Sequence, residues 1–192
     1  MRGRRVRLSE AFYDGQSLTL LAACNVQGFV SDACRVIGET VDSAGFVSWV
    51  KHYLCPCLGD YAKQEPNSIV ILDNVNQHWS QEAIDLITKP VSEGGRGSRL
   101  LFLPPYSPEF NPIELGFSWL KSYIRRHFLS LGGNNRAVLK AMYDGVRELP
   151  PRVMSGYFRK CGYQVESSYN EDDEVAIAAI SATAALAMMR RS

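Results

Sequence analysis

The run at residues 67–73, NSIVILD, constrains the fold more than any other stretch of the chain. Its apolar residues follow one another without alternation, and it closes on a carboxylate. A strand with one wet face alternates; a continuous apolar strand is covered on both faces, as central parallel strands are. The neighbouring segments fit that setting. Residues 17–26 (SLTLLAACNV) and 29–37 (FVSDACRVI) are strand-length runs joined by Gln27 and Gly28, and are expected to pair as an antiparallel hairpin. Asp42 is placed to cap a helix over about 43–54, with Phe46, Val50, Tyr53 and Leu54 at helical spacing and Cys55-Pro56 as its end. Ser80 caps a second helix carrying Ala83, Ile84 and Ile87, and residues 99–103 form a short strand stopped by Pro104 and Pro105.

Residues 106–112 are a stiff, proline-rich connection into a long helix. Ile113, Phe117, Leu120, Ile124 and Phe128 form the apolar stripe of that helix, and 136–148 and 151–160 also read as helical. A hairpin followed by strand–helix–strand units predicts an α/β chain, a mixed sheet flanked by helices. The domain is expected to end near Tyr163, giving a core over 1–163. A tail over 164–192 turns acidic and then Ala-rich, with a helix expected over 175–191.

Composition narrows the class. A hydrophobic fraction of 46% and a charged fraction of 21% are those of an ordinary globular domain. The formal net charge of +1 means that any nucleic-acid contact must come from a local patch. Cys24, Cys34, Cys55, Cys57 and Cys161 are odd in number and suit free thiols in a reducing compartment. No membrane partner is expected: the basic start lacks an apolar run behind it, and the Ala-rich stretch is too short to span a bilayer.

Two carboxylates stand out. Asp73 leaves the end of the buried strand, where open α/β sheets collect ligands; it reads either as a hard oxygen ligand for Mg²⁺ or as a turn residue. Glu114 opens the long helix, either as a first-turn acid favoured by the helix dipole or as a second ligand. Glu114, Ser118, Lys121 and Arg125 share one face of that helix, so an acid at its start is followed by bases that suit a phosphate backbone. Two acids around divalent ions are what phosphodiester chemistry at neutral pH requires, and a third acid is expected beside them.

The stretches ILDNVNQHWS (71–80) and LLFLPPYSPEFNPIELGFSWLKSYIRR (100–126) resemble the DDE superfamily endonuclease core of Tc1/mariner-like and IS630-type transposases. The resemblance covers roughly residues 3–163. It implies an RNase H-like fold, metal-dependent strand cleavage and transfer, Mg²⁺ or Mn²⁺ as cofactor, and DNA (transposon ends and target) as partner. A homodimer is compatible with it, as is a nuclear site in a eukaryote or a cytoplasmic one otherwise. It makes Asp73 and Glu114 the second and third catalytic, metal-binding carboxylates. Asn74, His78 and Asn111 become supporting residues of the site, and Lys121, Arg125 and Arg126 nucleic-acid contacts.

This chain departs from the pattern in two ways. The resemblance places a first Asp on a strand ahead of the hairpin, and no acid here matches it: Asp14 precedes a glycine in a turn and Asp32 falls within the second hairpin strand. The chain therefore reads as a transposase core truncated at its N-terminal side, its sheet short of the first strand and its catalysis impaired. The alternative is a non-catalytic DNA-binding module or transposon remnant. Asp73 and Glu114 also lie 41 positions apart, longer than the resemblance implies, and a flexible surface loop over 93–99 is expected to absorb the excess. Among weaker signals, Cys55-Pro56-Cys57 has the wrong spacing for a zinc knuckle and reads as structural thiols. Arg2, Arg4, Arg5 and Arg7 read as a solvated terminus or a phosphate-contacting arm, and Trp49, Trp79 and Trp119 as packing residues.

Overall fold

A computed structural model describes residues 18–38, 41–73, 80–127, 135–165 and 179–187. β1 (Thr19–Asn25) is buried from Thr19 to Cys24, as its unbroken apolar sequence requires. Asn25 Oδ1 accepts a hydrogen bond from the Gln27 amide at 2.9 Å, and Gly28 takes a φ of +144°. That conformation is open to glycine and reverses the chain into β2 (Gly28–Phe29). After a 3₁₀ turn at Ser31–Ala33, β3 (Arg35–Ile37) pairs with the first half of β1, Thr19 opposite Ile37. The expected hairpin is present, its second arm broken in two by the turn that carries Asp32.

α1 (Ser43–Trp49) begins where the Asp42 carboxylate accepts from the Gly45 amide at 2.8 Å. It widens into a π turn at Val50–Leu54 and closes with a 3₁₀ turn at Cys55–Cys57. Trp49 Nε1 donates to the Ala33 carbonyl at 2.8 Å and fastens α1 to the hairpin. β4 (Ile69–Leu72), α2 (Gln81–Thr88) and β5 (Arg99–Phe102) form a parallel strand–helix–strand unit, Leu72 in register with Phe102.

The stretch 93–99 is a docked turn and not the flexible surface loop expected. The Tyr61 amide donates to the Gly97 carbonyl at 2.9 Å, Ser98 Oγ donates to the Gly59 carbonyl at 2.7 Å, and the Arg96 guanidinium donates to the Leu58 carbonyl. Gly97, at φ +71°, makes the close bend that brings these donors inward.

The larger departure is at the C-terminal end. The Ala-rich stretch expected as a helix contains a strand, β6 (Ala179–Ala187), and that strand lies in the middle of the sheet. The order is β2-β1-β6-β4-β5, with β3 also on β1. β6 runs antiparallel to β1, Ala22 opposite Thr183, and parallel to β4, Leu72 opposite Ala182. The sheet expected to lack a strand is thus closed by the chain itself. Helix propensity favours alanine by only a few tenths of a kcal/mol per residue. Two facing strand edges with unpaired amides and carbonyls outweigh that preference.

α3 (Pro112–His127), α4 (Asn135–Glu148) and α5 (Pro151–Lys160) cover one face of the sheet. Leu20, Ala22 and Cys24 of β1 meet Ile113, Phe117, Leu120, Met142, Met154 and Phe158 there. Leu21, Ala23, Val70 and Leu72 point to the other face, against Phe46, Trp49, Leu54 and Ile87. Gly145 lets α4 approach α3: a Cβ there would meet the Tyr123 ring at 2.9 Å as well as Leu120.

If β6 closes the sheet, Ala182→Pro removes a ladder donor from a strand paired on both sides. The expected result is a melting temperature lower by roughly 10 °C, equivalent to about 3 kcal/mol in a domain of this size. A thermal melt of the variant beside the parent protein checks it, and an unchanged midpoint would contradict the central placement of β6.

Candidate active site

Strand ends and helix starts position the two acids. The Leu103 amide donates to the Leu72 carbonyl at 2.8 Å, which carries the β4–β5 pairing up to the residue before Asp73. Asp73 is half-buried, with Oδ1 shielded from solvent. From β5 the chain passes through Pro104 and Pro105, turns at Tyr106, and makes a 3₁₀ turn at Pro108–Phe110. Asn111, 1% exposed, donates its amide to the Pro108 carbonyl at 3.0 Å and accepts from the Glu114 amide at 3.2 Å. Pro112 then starts α3 at the position where a missing amide is least harmful. Tyr163, just after α5, donates its hydroxyl to the Phe110 carbonyl at 2.9 Å and braces this connection from 53 residues away.

The outcome is that Asp73 and Glu114 come close enough for the charge of one to act on the other, despite their separation in sequence. Burial pushes the Glu114 carboxyl above its ordinary value, the negative charge of Asp73 raises it further, and Lys121 pulls it partly back. All three residues therefore sense one site. Arg125 is exposed on the same side of α3 as Glu114 and Lys121. Arg126 shares the surroundings of Tyr123 with Lys140, Asp144 and Glu148 of α4. Asn74 and His78 lie outside the described residues, as do Asp14, Trp79 and the arginines at 2, 4, 5 and 7.

Register adds a position that sequence reasoning missed. Leu72 is opposite Ala182 on the parallel neighbour, so the next position along, 183, stands beside Asp73. Position 183 is also opposite Ala22, whose side chain lies on the α3 face. The strand position beside Asp73 is thus Thr183. Nothing in an Ala-rich stretch signals this; only the pairing does. Asp32 is elsewhere, close to Cys34 and Cys57.

The family model of the DDE superfamily endonuclease matches residues 1–131. The chain belongs to this family. Its mixed sheet with helices on both faces is the RNase H-like fold of DDE endonucleases, which act on DNA and generally use divalent metals. No curated protein and no solved structure matches the chain. The matched residues take in the hairpin, both acids and all of α3, whereas α4, α5 and β6 lie beyond them.

The acid pair suits one hard divalent cation. A half-buried Asp and a Glu raised by burial and by that Asp repel each other when both are ionised, and a cation between them would relieve the repulsion. Mg²⁺ needs only one or two carboxylates when water fills its remaining positions. A second ion needs more donors, and among the described residues no group of three His, Cys, Asp or Glu side chains could hold a metal. Burial pushes Cys34 up to about 12 and Cys55 up to about 11, and the Cys57 thiol donates to the Tyr53 carbonyl at 3.3 Å. No helix among the described residues is long and apolar enough to cross a membrane.

The raised Glu114 fixes a pH dependence. The folded chain holds this proton more tightly than the unfolded chain, so stability falls as pH rises from the unfolded value through the raised one, and the penalty is complete above it. Glu114→Gln removes that penalty. Its melting temperature should exceed the parent's near neutral pH and match it once the medium is acidic enough to protonate both states. Mn²⁺ should raise the melting temperature of the parent and leave that of the Gln variant unmoved. Melts at the two pH values, with and without Mn²⁺, check both expectations.

Proposed function

We propose that the chain is the catalytic core of a Tc1/mariner-like, IS630-type transposase, with Asp73 and Glu114 as its metal-holding carboxylates and DNA ends and target as its substrate. What supports this reading is that strand pairing ends β4 just before Asp73 and the proline-rich connection puts Glu114 in the first turn of α3, near enough for the Asp73 charge to raise the Glu114 carboxyl. A Mg²⁺ or Mn²⁺ ion, when bound, supplies Lewis acidity and neutralises phosphate charge. Asp73 and Glu114 hold it from two elements whose spacing is fixed by strand pairing and by the proline-rich connection. Lys121 and Arg125 hold the phosphate backbone against the same face. Asn111 orients the first turn of α3, Asn74 and His78 support the site from the segment after Asp73, and Arg126 contacts DNA further round the helix.

Cleavage by this chain is weak in this reading, because the β6 position beside Asp73 is Thr183, a residue without a carboxylate. That same feature favours a second reading, a DNA-binding module that keeps the fold and the phosphate-binding face without cutting.

Nicking of supercoiled DNA in Mn²⁺ separates the two readings. The parent should nick slowly, Asp73→Asn and Glu114→Gln should not nick at all, and Thr183→Asp should raise the rate at least about tenfold by supplying the third ligand. If the parent does not nick and Thr183→Asp gains nothing while DNA is still bound, the binding-module reading stands. In either case Lys121→Ala and Arg125→Ala should each weaken DNA binding and reduce its salt slope by about 1.

A further inference from the structure

The connection that delivers Glu114 carries a feature that its positioning role does not explain. Among the described residues three non-glycines take a positive φ: Gln64, Asn67 and Tyr106. Asn is the type that tolerates this region, and its side chain here is held by Asn25 and by the Cys57 carbonyl, at 3.2 Å in each case. Gln64 lies in an exposed turn. Tyr106 is the bulky aromatic of the three, at φ +58°, and it is 99% exposed.

An aromatic side chain in the left-handed region is strained, and burial does not compensate Tyr106, because its ring covers nothing. A glycine or asparagine would make the same turn at lower cost. The turn is also rigid. Pro104 and Pro105 precede it, Ser107 Oγ donates to the Pro105 carbonyl at 3.3 Å, and the 3₁₀ turn at Pro108–Phe110 follows, braced by Tyr163. A second aromatic, Phe110, is 45% exposed four residues on. Strain held by a stiff frame around an exposed ring is the arrangement of a binding group set in place before its ligand arrives.

We infer that Tyr106 is a stacking platform for an unpaired nucleobase, holding a single-stranded segment of DNA next to the phosphate at Asp73 and Glu114. The inference rests on the DNA reading above and adds which form of DNA the site takes. The platform heads the connection that ends at Glu114, and the phosphate-binding side of α3, with Lys121 and Arg125, begins where that connection stops. A cationic track with aromatic rings beside it is how single-stranded nucleic acid is held without sequence preference. A scattered surface tyrosine would carry no such implication; the positive φ and the rigid frame distinguish this one.

The test uses the full chain and two DNA probes: a hairpin with a single-stranded overhang carrying a fluorescent aminopurine, and the same hairpin fully paired. Affinity is read by anisotropy and stacking by aminopurine quenching. Tyr106→Phe should behave as the parent. Tyr106→Ala and Tyr106→Asn should bind the overhang about tenfold more weakly, lose the quenching, and bind the paired probe unchanged. Tyr106→Asn should melt at or above the parent's temperature, because asparagine accepts the backbone conformation. The inference is overturned if Tyr106→Ala binds the overhang as tightly as the parent while Lys121→Ala and Arg125→Ala weaken it; the DNA reading then survives alone. A lower melting temperature for Tyr106→Asn overturns it by making the ring structural. A loss of self-association with DNA affinity intact overturns it in favour of a protein contact. A parent chain that binds neither probe overturns both this inference and the DNA reading.

Discussion

Two strand edges face each other across the middle of this sheet, and neither can be left unpaired. β1 presents one and β4 the other, each buried and each lined with amides and carbonyls that must find partners. β6 satisfies both at once, antiparallel on one side and parallel on the other. The consequences reach the site directly. Without a strand in that slot, nothing would fix the distance between the hairpin and the β4–β5 pair, and the apolar surface of α3 would have no continuous sheet to cover. Asp73 is held at the end of β4 and Glu114 at the start of α3, so the separation of the two acids depends on a strand that carries neither.

The site itself is a balance of repulsion and constraint. Two carboxylates are brought together by elements with their own reasons to be where they are: a buried parallel strand, and a helix whose apolar stripe packs on β1. Burial and mutual repulsion raise Glu114, and Lys121 offsets only part of that. Two carboxylates held within reach of one another cost the fold stability when both are ionised, which is the usual relation between an active site and its scaffold.

Much of this was legible in the sequence. The β4 strand, α3 with its stripe, the Asp42 cap and the proline-rich connection each follow from local rules, and helical spacing puts Lys121 and Arg125 on the face of α3 that carries Glu114; that Asp73 and Glu114 belong to one site is implied by the family resemblance and not by spacing. What escaped was non-local. An Ala-rich stretch scores as a helix on its own; its strand conformation is imposed by partners more than a hundred residues away in sequence. The docking of the turn at 93–99 depends on carbonyls of Leu58 and Gly59 that no spacing rule connects to Arg96 and Ser98. The Tyr163 brace joins residues 53 positions apart and has no periodic signal. The strain at Tyr106 is invisible to composition, because tyrosine beside proline is ordinary in a turn.

Hydrogen exchange on the intact chain tests the central claim most directly, because it reads the pairing of β6 amide by amide. If residues 179–187 fill the slot, their amides should be protected to the same degree as those of Leu20–Cys24 in β1 and Val70–Leu72 in β4, and all three strands should open together in a single cooperative step. Rapid exchange over 179–187 while β1 and β4 stay protected would contradict the account: the two edges would then be satisfied by something other than β6, and the position beside Asp73 would not be Thr183.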